Sequence, residues 1–307
     1  MRHRHAAIGA FRVRMWVASG LVAGFAASTL PSCSAQTFTV IDARSDAASD
    51  AGPPHADSAA DGEAPDGSPD DLGNLKNLEL WLRGDSLTSP SLVSPGVDSW
   101  RDDSPNHAAV TSAGSNPSCK SPVLIEGPNG KKAVAFDGVD ACLRLPPGYA
   151  DFTRGLSMFV VARTHPQVVP STRGFLRIGA AGGPSINFGK DDATILRYVP
   201  SRSDGSSPNT ASVDGGIVDD TWHTYAALQD GGAVDAVAPA SIWRDGQQIA
   251  SSAKTTTPPI AVRDQNLIGG ITTARLMVDI AEMILFSRTV PEGERLVIEA
   301  YLRRKWL

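Results

Sequence analysis

The chain has 307 residues, 41% of them hydrophobic, and a formal net charge of −5. Residues 1–33 hold four arginines and no acid, residues 42–71 hold eight Asp, one Glu and one Arg, and residues 72–307 are close to neutral. The length suits one large β domain or two smaller ones, and a near-neutral domain lacks the basic footprint that binding to nucleic acid demands.

The N-terminus reads as an export signal. Arg2, Arg4, Arg12 and Arg14 precede "MWVASGLVAGFAASTL", an apolar run of 16 residues. A bilayer-spanning helix needs about 20, so the segment fits a signal peptide better than a membrane span. The run ends in "LPSC", where Leu30, Ser32 and Cys33 resemble the lipobox of bacterial lipoproteins. Pro31 departs from that motif, which has a small or aliphatic residue there. The resemblance implies lipidation of Cys33 and attachment to a membrane at the cell envelope, each buried CH₂ contributing about 0.8 kcal/mol. Ordinary cleavage after Ala35 is the alternative. With Cys33 lipidated, Cys119 and Cys142 are left as one pair in an oxidising compartment, and a disulfide between them is expected. A metal site is the competing reading, and two cysteines without a histidine cluster are poor zinc ligands.

Residues 34–73 are dominated by Asp, Ala, Gly, Pro and Ser. Such a segment cannot bury enough apolar surface to offset chain entropy, and its like charges extend it. An acidic, disordered stalk is expected there.

From Leu75 the texture changes to short β-type runs: "LELWLR", "KAVAF", "CLRL", "LSMFVVAR", "GFLRIG", "TILRYV", "WHTYAAL", "SIWRDG" and "LMVDIAEMILF". Turn sequences such as "GPNG", "DGVD", "GAAGGP" and "RDGQ" separate them, and Asp137 and Asp140 read as hairpin-turn residues. One helix is expected at the end, in "PEGERLVIEAYLRRKW". Thr289 and Glu292 have capping-box spacing, and Leu296, Val297, Ala300 and Tyr301 share the face expected to pack on the sheets. Many strands, no βαβ alternation and one terminal helix predict an all-β fold: a two-sheet antiparallel jelly-roll sandwich with one C-terminal α-helix.

"LWLRGDSL", "VDSWRDDSPNHAAV", "AVAFDGVDACLRLP" and "LSMFVVAR", then "TWHTYAALQDGG", "SIWRDGQQI", "NLIGG" and the closing strand–helix block, resemble in that order the laminin-G-like, concanavalin-A-like jelly-roll domains of bacterial surface proteins. The resemblance covers residues 74–307. It implies non-catalytic binding of a carbohydrate or a protein partner more often than catalysis, with calcium held at a sheet edge or loop in some members.

The same superfamily contains retaining glucanases with Glu-x-Asp-x-x-Glu on one strand. In "MVDIAE", Asp279 and Glu282 match the later two positions of that motif and Met277 replaces the nucleophile. A thioether cannot take that part, because retaining chemistry needs two carboxyls about 5–5.5 Å apart. Strand alternation also sends Asp279 and Glu282 to opposite faces unless a bulge intervenes. Glu282 is therefore expected to be a buried structural acid, bonded to backbone or to an arginine. A glycoside hydrolase or lyase with an atypical site is the alternative function.

In "WRDDSPNH", Asp102, Asp103, Ser104 and Asn106 are calcium candidates, since Ca²⁺ takes six to eight oxygens; an Asx-type turn is the competing reading. His107, His165 and His223 are far apart in sequence, and no Gly-x-Ser-x-Gly elbow supports a serine triad. Trp81, Trp222 and Trp243 fall inside strands and are expected in the core rather than stacked on sugars.

Overall fold

Side-chain alternation along the strands builds two faces per sheet, and both faces of the first sheet are apolar. The structure, a computed structural model, describes residue 72 and residues 75–87, 96–112, 119–166, 173–191, 194–207, 209–214, 219–271 and 274–307. The expectations for the signal peptide, Cys33 and the stalk lie outside these residues. Leu72, which composition assigns to the stalk, is buried.

The strands are β1 (Leu78–Arg83), β2 (Ser99–Arg101), β3 (Ala109–Thr111), β4 (Val123–Glu126), β5 (Lys132–Asp137) and β6 (Leu143–Leu145). Next come β7 (Gly155–Thr164), β8 (Arg173–Gly179), β9 (Ser185–Asp191), β10 (Ile195–Pro200), β11 (Ala211–Val213) and β12 (Trp222–Asp230). The last group is β13 (Val237–Arg244), β14 (Gln247–Thr256), β15 (Asn266–Ile268), β16 (Gly270–Ile271), β17 (Ala274–Arg275) and β18 (Met277–Phe286), followed by helix α1 (Glu292–Trp306).

The first sheet runs β14-β13-β12-β7-β18-β5-β4, the second β11-β10-β9-β8-β15-β6-β3-β2, and their ladders are antiparallel. Strand β18 is the axis of the first sheet. One edge pairs with β7 along most of its length; the other pairs with β5 over Met277–Ile280 and with β1 over Glu282–Phe286. The two-sheet sandwich with a single C-terminal helix is as the sequence predicts.

Two apolar clusters hold it together. Leu80, Phe136, Val160, Phe175, Tyr225 and Ile280 belong to the cluster between the sheets. Phe159, Ala226, Ile284, Ile298, Leu302 and Trp306 belong to a second, beneath α1 on the outer face of the first sheet. Trp81 is buried in this second cluster, and Trp222 and Trp243 pack against it, as expected of core tryptophans.

The helix departs from expectation at both levels. Thr289 does not cap it: its Oγ1 donates to the Gln229 carbonyl at 2.6 Å, and the helix starts at Glu292 with Pro291 as its N-cap. That contact sits against Gly155, at φ 99°, where an added Cβ would lie 2.0 Å from Thr289 Oγ1. Close approach as well as the left-handed backbone therefore requires glycine. The inward face is also different. Leu296 and Ala300 are exposed, while Arg295, Ile298, Glu299, Tyr301, Leu302 and Trp306 are buried. Arg295 tolerates burial because it pairs with Glu299 at 2.7 Å and lies 3.8 Å from the Trp243 ring centroid.

Cys119 and Cys142 form the expected disulfide, their Cα atoms 5.2 Å apart. Its 23-residue separation gives about 3 kcal/mol of stabilisation on the chain-entropy model. A Cys119→Ser/Cys142→Ser double variant should lose about that much in denaturant unfolding, and reductant should move the wild-type midpoint the same way and leave the variant unmoved.

Candidate functional site

The two acids of "MVDIAE" share a face after all. Register with β7 shifts between Ile280, opposite Ala162, and Glu282, opposite Val161, so Ala281 is the extra residue of a bulge. Val278, Ile280, Met283 and Leu285 then point between the sheets, and Asp279, opposite Arg163, comes to the same side as Glu282. The alternation argument for opposite faces is overturned by that one inserted residue.

Sharing a face does not make the acids a catalytic pair. Glu282 is fully buried under α1. Its Oε1 accepts from Trp81 Nε1 at 2.7 Å and Tyr301 Oη at 3.0 Å; its Oε2 accepts from Trp306 Nε1 at 2.7 Å and Lys305 Nζ at 2.8 Å. Lys305 also donates to Tyr301 and pairs with Asp85 at 3.0 Å. Burial first, then the adjacent Glu282 charge, push the Tyr301 hydroxyl up and keep it a donor. Glu282 is thus the buried structural acid expected, although two indoles, a phenol and a lysine hold it instead of backbone or arginine.

Asp279 is engaged elsewhere. Its Oδ2 receives Arg163 Nη2 at 2.6 Å and His165 Nε2 at 2.9 Å, and His165 Nδ1 lies 2.7 Å from Asp220. On the neighbouring strand, His223 lies between Asp245 at 2.6 Å and Asp219 at 2.8 Å, with Thr221 Oγ1 2.7 Å from Nε2. The fold therefore joins two histidines 58 positions apart through the adjacent acids Asp219 and Asp220, a juxtaposition that sequence spacing gives no sign of. Hydroxyl, imidazole and carboxylate resemble a triad there. Each ring nitrogen nevertheless lies against a carboxylate oxygen, and the Thr221 hydroxyl itself donates to Asp219 Oδ1 at 2.9 Å, so hydroxyl, rings and acids are tied to one another.

The calcium candidates form a staple instead. Asp102 is 2% exposed, and its two oxygens accept from the Trp81 and Ser104 amides, the Ser104 hydroxyl and the Ala108 amide at 2.8–2.9 Å. Asp103 pairs with Arg83 at 2.6 Å and Arg101 at 2.8 Å. Asn106 turns its amide nitrogen to Glu79 Oε2 at 3.0 Å. These three residues, as disposed, do not fit a calcium ion: one carboxylate is saturated and the other neutralised. Among the described residues, no group of three or more His, Cys, Asp or Glu side chains could hold a metal ion. Asp137, by contrast, fills its expected turn role. Burial opposes its ionisation, but amide N–H groups of Val139, Ala141 and Asp140 outweigh that and lower its pKa.

The outer face of the second sheet has another character. Thr111, Arg144, Leu267, Arg177, Asn187 and Val199 follow one another across six strands as directly paired residues. Their strand neighbours Val110, Leu143, Ile268, Ile178, Phe188 and Tyr198 belong to the inter-sheet core, so the ladder points away from it. It is recessed: Leu267 is 4% exposed and Asn187 9%. Nε of Arg144, Nε of Arg177 and Oδ1 of Asn187 are shielded from solvent and have no partner among the described residues. Burial alone lowers the Arg177 pKa, with no acid opposing it. Arg275, 6% exposed, is lowered by burial first and then by the charge of Arg144.

No protein-family model matches the chain, and no curated protein does. Solved structures match its fold. The binding domain of Paraclostridial Mosquitocidal Protein 1 aligns at TM-score 0.50 and 9% identity, over 74% of this chain and 52% of that one. The binding domain of Botulinum Neurotoxin DC aligns at TM-score 0.52 and 12% identity, over the same shares. The chain thus spans about half the length of these structures, and the likeness is one of fold.

Replacing Glu282 by Gln sets an N–H against the donors around it, and breaking a buried ion pair costs about 3–5 kcal/mol. Glu282→Gln should therefore lower unfolding free energy by about that much in urea titration. At the Asp102 staple, EDTA should leave the melting temperature unchanged, whereas Asp102→Ala, which strands several buried donors, should lower stability by about 2–4 kcal/mol.

Proposed function

We propose that this chain is a non-catalytic recognition module of the bacterial cell envelope, carried on a lipid at Cys33 and a stalk over residues 34–73, with a laminin-G-like domain that binds carbohydrate. The supporting observation is where polar capacity is committed and where it is left over. The carboxylates of Asp279 and Glu282, and both ring nitrogens of His165 and of His223, are engaged by protein partners. Of the buried polar atoms without a partner among the described residues, Arg144 Nε, Arg177 Nε and Asn187 Oδ1 fall in one row, on the outer ladder of the second sheet.

Sugar recognition suits such a surface, because hydroxyl-bearing ligands need directional donors and acceptors beside small apolar contacts. Leu267 lies between the two arginines in the ladder. Among proteins of similar fold, the Botulinum Neurotoxin DC binding domain was solved in complex with SialylT. That likeness makes glycan recognition a natural use of the sandwich, and the ladder supplies the chemistry on this chain.

A glycan array run beside a reducing-sugar assay tests the reading. Binding without release of reducing ends is expected, and sugar release that vanishes in Glu282→Gln would make the protein a hydrolase. Mass spectrometry of the mature protein should find an acylated Cys33 at the N-terminus; an unmodified start at Gln36 would remove the lipid anchor.

A further inference from the structure

The buried Arg263 and the half-buried Arg144 and Arg177 differ in what their terminal nitrogens meet, and the difference points to a ligand. Arg263 is fully buried, and its terminal nitrogens donate to the carbonyls of Tyr149, Ala150, Ala261 and Pro259 at 2.6–3.1 Å. Burial lowers its pKa to about 10; its Nε has no partner among the described residues, but both terminal nitrogens are held by carbonyls and its role is to join two loops. The side chains of Arg144 and Arg177 have no such carbonyls and no carboxylate: among the described residues neither side chain makes a hydrogen bond or an ion pair.

We propose that the Arg144–Leu267–Arg177–Asn187 ladder is an anion-reading subsite, and that its ligand is a saccharide bearing carboxylate groups, as uronic and sialic acids do. The inference rests on the carbohydrate reading of the preceding subsection and narrows it to acidic sugars. Adjacent strands lie about 4.8 Å apart, which sets Arg144 and Arg177 about 10 Å apart across Leu267. A guanidinium presents N–H groups in a planar fork that matches a carboxylate. Two forks at that separation can hold one carboxylate each, or a carboxylate and a ring hydroxyl of the next residue.

The surroundings favour a sugar over an acidic peptide. Beyond Asn187, its Nδ2 donates to Ser185 Oγ at 3.3 Å, and Ser185, Ser201 and Ser207 continue as hydroxyl contacts of 3.4 and 3.0 Å. Hydroxyls that can donate or accept complement the hydroxyls of a pyranose. The main chain at the ladder residues of β15, β8 and β9 is paired on both sides, so it offers no free strand edge to a peptide.

The test uses the full chain and isothermal titration with four probes: a sialylated oligosaccharide, an oligogalacturonate, a sulfated galactan oligosaccharide without carboxylates and a neutral oligosaccharide of equal length. Binding to at least one carboxylated probe is expected, weakening at least tenfold in Arg177→Gln and in Arg144→Gln, and falling with added salt. Lys254→Gln, an equal charge change on exposed β14, should bind as the wild type does. Circular dichroism melts check folding, and Arg177→Lys, which keeps charge without the fork, should recover only part of the affinity. Binding to the sulfated probe alone would overturn carboxylate recognition. Equal binding of the neutral probe, insensitive to both arginine variants, would overturn the anion subsite while leaving carbohydrate recognition in place. Absence of binding to all four probes by the folded wild-type protein would overturn both.

Discussion

The fully buried Glu282 carboxylate, with its four donors, is the interaction on which the division of the molecule depends. It lies on the central strand of the first sheet, and three of the donors come from the last turns of α1. An ion of this kind is costly to bury and more costly to leave unpaired, so the helix can sit on the sheet in few other ways. Once docked, the helix covers the outer face of the first sheet with Ile298, Leu302 and Trp306. The outer face of the second sheet is left uncovered by the helix, and Arg144, Arg177 and Asn187 lie in a row on it.

The bulge at Ala281 connects sequence to this outcome. Without the extra residue, Glu282 would point between the sheets among Val160, Ile280 and Leu285, where no donor set exists for it. With it, the acid swings to the helix side and the apolar alternation resumes in phase on either side of it. Glycosidase-like spacing in "MVDIAE" is therefore a by-product of a structural insertion. Met277 at its start is 37% exposed and carries no ionisable oxygen.

Much of the fold is legible in the sequence, because strands such as "ILRYVP" alternate cleanly between the core and the outside. Strand β14, "QQIASSAKTT", was not: it lies at the sheet edge, with polar residues on both faces and no period to read. The helix is legible but its inward face is not, since that face includes Arg295 and Glu299, whose mutual pairing a hydrophobic pattern cannot anticipate. The arginine ladder was the least visible of all. "CLRL", "GFLRIG" and "TILRYV" each read as a strand with one charged residue, and only the register of β6 and β8 on β15 brings Arg144 and Arg177 into one row. Nothing in the chain distinguishes them from Arg263, whose carbonyl partners are Tyr149 and Ala150 from a distant loop and Pro259 and Ala261 from its own.

The most direct test of the account is a crystal structure of the full chain grown with an acidic oligosaccharide. It should place a sugar carboxylate within hydrogen-bond reach of Arg144 or Arg177 on the outer face of the second sheet, with the four donors still closed on Glu282. Sugar bound across β18, with Asp279 or Glu282 released from its partners and turned toward a glycosidic oxygen, would contradict it.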